Sequence, residues 1–115
     1  MTFELVDLEE LGEKALQDFH RALHQTASGA ATAFEDAVNG LVTKVEFTYA
    51  VAAKLAHREQ TVEGTAAVWS KMVAICDAVA QQIKAIEERF PGSKASFDRV
   101  LDYRNAAERR RELHS

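Results

Sequence analysis

TVEGTAAVWSKMVAICDAVAQQIKAIEERFPG, residues 61–92, is the stretch whose reading decides the fold. Its apolar residues Trp69, Met72, Val73, Cys76, Val79, Ala80, Ile83, Ile86 and Phe90 recur in steps of three and four. That spacing lines one face of a helix, because 3.6 residues complete a turn. Thr61 is placed to cap the N-terminus, and Pro91-Gly92 cannot continue a helix. Such a helix has about 29 residues and is about 43 Å long. Its apolar face is longer than the shorter helices beside it can cover. The reading therefore predicts a long partner helix in the chain and a homodimer beyond it.

The partner lies immediately upstream. Phe34, Val38, Leu41, Val45, Tyr49, Ala52 and Leu55 form a second stripe, with Thr32 and Glu35 at capping-box spacing before it. This helix is expected to end near Glu59. One segment inside it has a rival reading. Asn39-Gly40 is a turn dipeptide, and residues 41–51 also alternate with period two. Leu41, Val45, Phe47, Tyr49 and Val51 would then lie on one face of a strand, with Lys44, Glu46 and Thr48 on the other. A short strand there, with Phe3 and Leu5 as its partner, would make the fold α+β. Helix is preferred, because an isolated hairpin is marginal and the stripe runs unbroken to Ala56.

Two shorter helices complete the pattern. Leu8, Leu11, Ala15, Leu16, Phe19, Ala22 and Leu23 share a face, with Asp7 and Glu10 at capping-box spacing and a turn at Ser28-Gly29. Ser93 is expected to cap the last helix, whose stripe is Phe97, Val100, Leu101 and Ala107. Its end is polar, and fraying is expected from about residue 109. The expected fold is an all-α antiparallel bundle of about four helices in one domain, residues 1–115.

Composition bounds the function. The chain has 115 residues, 47% of them hydrophobic, and a net charge of -4. The acidic balance argues against a nucleic-acid surface, which needs a basic face. Residues 1–60 carry ten acids and five bases, and residues 61–115 carry eight and nine. No apolar run approaches the roughly 18 residues of a membrane span. The acidic start of the chain lacks the basic region of a signal peptide. Cys76 is the single cysteine, which excludes an intrachain disulfide and fits a reducing cytoplasm. Within its stripe it reads as a small apolar residue.

His20 and His24 share a helix face at metal-ligand spacing, but a third ligand is not evident. The carboxylates offer more. Glu9-Glu10-Leu11-Gly12-Glu13 has the form Glu-Glu-x-x-Glu. It resembles the first half of the motif in MazG-like nucleotide pyrophosphohydrolases, all-α enzymes that hold magnesium with carboxylates from adjacent helices. The resemblance implies Glu9, Glu10, Glu13, Glu35 and Asp36 as Mg²⁺ ligands, and magnesium bridging phosphate oxygens. The family's second half is Glu-x-x-Asp. Here Glu35 is followed three residues on by Val38, and Asp36 by Asn39, so that half is broken. The preferred reading is a non-enzymatic, cytoplasmic helical protein that acts by protein–protein interaction or regulation, with no cofactor. The magnesium-dependent phosphohydrolase, or a degenerate relative of it, is the alternative.

Overall fold

Few breakers and many Ala, Leu and Val residues leave the backbone one economical way to pair its polar groups. In the computed structural model, which describes residues 4–25 and 31–113, those residues form α1 (Leu5–Gln25), α2 (Ala31–Arg58), α3 (Val62–Ala85) and α4 (Lys94–Leu113). A single 3-10 turn, Pro91–Ser93, precedes α4. Among the described residues there is no strand. The turn expected at Ser28-Gly29 and the strand residue Phe3 lie outside the described residues.

The α+β alternative is thereby overturned. Residues 41–51 belong to the middle of α2. Leu41, Val42, Val45, Thr48, Val51, Ala52 and Leu55 are all buried, a pattern of helical rather than twofold period. The threonines are tolerated because their hydroxyls donate to the carbonyl one turn back. Thr43 reaches Asn39 O at 3.0 Å, Thr48 reaches Lys44 O at 2.6 Å and Thr65 reaches Thr61 O at 3.0 Å. Asn39-Gly40 makes no turn, because burial along both sides of the dipeptide outweighs its local preference.

Helices α1 and α2 pack as one hairpin and α3 and α4 as another. α2 and α3 meet in the centre, α1 leans on α3, and α4 leans on α2. The result is a flattened body of 50 × 27 × 15 Å. α3 is enclosed from several sides, which explains why Thr65, Val68 and Ile75 are buried in addition to its expected stripe. Four of the five helix contacts carry an ion pair. Lys71 pairs with Glu9 across α1 and α3, and Lys44 with Asp18 at 2.8 Å across α1 and α2. Arg99 pairs with Glu46 at 3.1 Å across α2 and α4, and Arg104 with Asp77 at 3.1 Å across α3 and α4. These partly exposed pairs fix register more than they stabilise.

Helix ends depart from expectation in four places. α1 starts a turn early, at Leu5, because the Glu4 amide donates to Asp7 Oδ2 at 2.7 Å. Asp7 thus serves as the inner residue of a capping pair, not as the cap. α2 starts at Ala31, so Thr32 stands inside the helix. α3 stops at Ala85, short of Phe90. Residues 86–89 continue as turns that still bury Ile86, and Phe90 adopts the extended backbone that a following proline imposes. Ser93 is buried, but its hydroxyl has no hydrogen-bond partner, so it is not a side-chain cap. The Thr61 cap forms as expected, accepting from the Gly64 amide at 2.9 Å.

α4 runs on through the polar end of the chain to Leu113. Ala107 is fully buried, Arg104 pairs with Glu108 at 2.9 Å, and Arg111 pairs with Glu108 as well. The Arg110 guanidinium lies 5.3 Å from the Trp69 ring centre, and its Nε donates to Tyr49 Oη at 3.1 Å. Aromatic faces attract cations in this geometry.

The crossing of α1 on α3 is close because Gly12 has no side chain. A Cβ there would lie 2.9 Å from Ile75 Cγ1, 3.1 Å from Cδ1 and 3.2 Å from Cγ2. In an open helix, Gly→Ala stabilises by about 1 kcal/mol. Here the stiff, β-branched Ile75 cannot yield easily, so Gly12→Ala is expected to destabilise by about 1 kcal/mol. In that background Ile75→Ala should cost clearly less than it does alone. A double-mutant cycle from urea unfolding measures this coupling.

Candidate functional site

The acidic residues of the magnesium reading are not brought together. Glu9 is committed to Lys71 of α3. Glu10 and Glu13 border a shallow surface depression with Lys14, Gln17, Asp18 and Arg21 on α1. Glu35 and Asp36 are exposed on the first turns of α2. Because Asp18 faces Lys44 in the antiparallel hairpin, Glu13 lies level with the region of Tyr49. Glu35 is about fourteen residues away from that level, or about 20 Å of helix. Antiparallel packing thus sends the two halves of the motif to opposite ends. Among the described residues, no group of three or more His, Cys, Asp or Glu side chains is placed to hold a metal ion. His20 and His24 are exposed near the end of α1, and His57 is exposed in the last turn of α2, at the far end of the hairpin.

Cys76 is fully buried on α3. Burial, with the neighbouring Asp77 charge, pushes its thiol up from 9.0 to about 12. A nucleophilic cysteine needs the opposite shift. The Asp18 carboxyl is held below its usual range by its hydrogen bond to Lys44.

Large amphipathic and charged side chains converge at the junction of α2, α3 and α4. The Tyr49 ring centre is 5.3 Å from that of Trp69 and 5.3 Å from that of Tyr103. Trp69 is buried, and the two tyrosines are half-buried. Beside them Tyr49, Arg99, Asp102, Tyr103 and Ala106 line an open cleft of about 320 Å³. Partial burial, then the Glu46 carboxylate, raises the Tyr103 phenol above its ordinary range, with Arg99 opposing. Tyr49, Trp69 and Tyr103 are recognisable in the sequence as the large amphipathic residues. Arg99, Asp102 and Arg110 are not, because their roles follow from how α4 lies on α2.

A second surface escaped the sequence reading altogether. Gly40, Thr43, Phe47 and Ala50 are exposed on α2, opposite its core stripe. Phe47 is 54% exposed, and a Cβ at Gly40 would meet nothing within 4 Å. The signal was a second set of steps of three and four running beside the apolar stripe.

Among the described residues, no helix is long and apolar enough to cross a membrane. Comparison with protein-family models, curated proteins and solved structures finds no match to this chain.

The Cys76 shift sets a pH dependence. The folded-state value lies above the unfolded one, so its contribution is fully present below about pH 9, then lost as pH rises toward about 12. Urea midpoints measured across this range should fall more steeply for the wild type than for Cys76→Val. The raised Tyr103 phenol acts in the same direction in both proteins, so the difference between them isolates the thiol.

Proposed function

We propose that this chain is a non-enzymatic, self-associating helical protein that works by presenting a rigid surface to a protein partner. The observation that carries the reading is the cleft between Tyr49 and Tyr103, rimmed by Arg99 and Asp102. Tyrosine and arginine dominate the energetics of protein interfaces, because each combines apolar area with directed hydrogen bonding. Here they stand on two helices locked by the Glu46–Arg99 pair and by the ring contacts, so little order is lost on binding. The cleft suits one apolar or aromatic side chain of a partner, with Arg99 and Asp102 supplying hydrogen bonds at its edge. The single buried cysteine supports a cytoplasmic setting.

Photo-crosslinking tests this reading. A photoreactive amino acid at Asp102, at the rim, should crosslink a defined partner in host extract. The same group at Gln81, exposed on α3, should not. The Tyr103→Ala variant, checked for folding by its helical circular dichroism, should lose the Asp102 crosslink. Equal crosslinking from Asp102 and Gln81 would overturn the proposal.

A further inference from the structure

We infer that the outward face of α2 is a self-complementary surface, on which a second copy of this chain packs with its α2 antiparallel. The inference deepens the self-association proposed above and rests on it. The homodimer expected from the sequence relied on α3 outrunning its neighbours. That reason is gone, because α1, α2 and α4 cover α3 within one chain. Among the described residues, α2 exposes Gly40, Thr43, Phe47 and Ala50 in one row, with Phe47 and Lys44 bordering α1 at its edge.

Two features of this face point to a second copy. The first is shape. Gly40, Thr43, Lys44 and Phe47 stand at i, i+3, i+4 and i+7, the four corners of a hole that accepts a side chain from a facing helix. Nothing lies within 4 Å of the Gly40 Cβ position, so one corner is open. Thr43 is exposed, and its hydroxyl is already used on the Asn39 carbonyl of its own helix. In an antiparallel pairing centred near residue 45, Phe47 of each copy meets Thr43 of the other beside the opening at Gly40. Ala50 then faces Gly40, and the two backbones can approach closely.

The second feature is charge. Asp36 ends this face on one side and Lys54 on the other, both exposed. Antiparallel pairing about the same centre sets Asp36 of each copy opposite Lys54 of the other. Parallel pairing sets like charges together. A twofold contact of this kind is closed, so it ends at the dimer.

Sedimentation equilibrium of the full chain at rising concentration tests the inference. The wild type should approach twice the chain mass. Gly40→Gln fills the open corner while favouring the helix in the isolated chain. It should weaken the dimer by at least about tenfold and raise the thermal midpoint of the dilute protein. Asp36→Lys and Lys54→Asp should each weaken association, and the double variant should restore it, with the effect shrinking at high salt. A dimer untouched by Gly40→Gln and by both charge reversals would overturn the α2 face while leaving self-association standing. A wild-type protein that stays monomeric at every concentration would overturn both.

Discussion

The constraint on which the rest of the structure depends is the enclosure of α3. Ten of its residues are buried, from Thr65 to Ile83, and they do not fit on a single stripe. A helix apolar on several sides has to be surrounded. The chain does so with its own helices, laying α2 across the middle, α4 along one flank and α1 on another. Everything else follows from that arrangement. Gly12 must lack a side chain because α1 crosses close to Ile75. Trp69, in the first half of α3, is roofed by Tyr49 and Arg110, with Tyr103 packed on Tyr49 in turn. The polar end of α4 is helical because it belongs to this roof.

Covering α3 from the flanks has a consequence for function. α1 and α4 are spread apart to either side, and the body is only 15 Å thick. A layer this thin leaves a broad face of α2 open to solvent. The outward stripe of Gly40, Thr43, Phe47 and Ala50 therefore belongs to the fold's outer surface, whereas the tyrosine cleft marks the seam between α2 and α4. The two surfaces lie on different sides of α2. The proposed dimer and the proposed partner contact would therefore not compete for the same surface.

The helices and their core faces were legible in the sequence, because periodicity reports burial directly. Every residue of the α3 stripe from Trp69 to Ile86 is buried, and so are Leu8, Ala15 and Phe19 on α1. What failed was local grammar overruled by tertiary packing. Asn39-Gly40 looked like a turn, and Ser93 looked like a cap. Each judgement weighed a few neighbouring residues, whereas the outcome depended on contacts dozens of positions away. Arg110 reaches Tyr49 and Trp69, neither of which is near it in sequence. The placement of the acidic residues was illegible for the same reason. The spacing of Glu9, Glu10, Glu13, Glu35 and Asp36 was visible, but antiparallel packing, not spacing, set their separation. The outer stripe of α2 was visible too, hidden beside a stronger apolar pattern on the same helix.

Native-state hydrogen exchange resolved by residue tests the central claim, that α3 is enclosed cooperatively by its own chain. Amides of α3 from Val68 to Ile83 should exchange only through global unfolding. Amides of α4 through Ala107 should share that opening, since the Trp69 roof cannot open without them. Exchange beyond Tyr103 at the rate of an unstructured chain, with α3 still protected, would contradict the account.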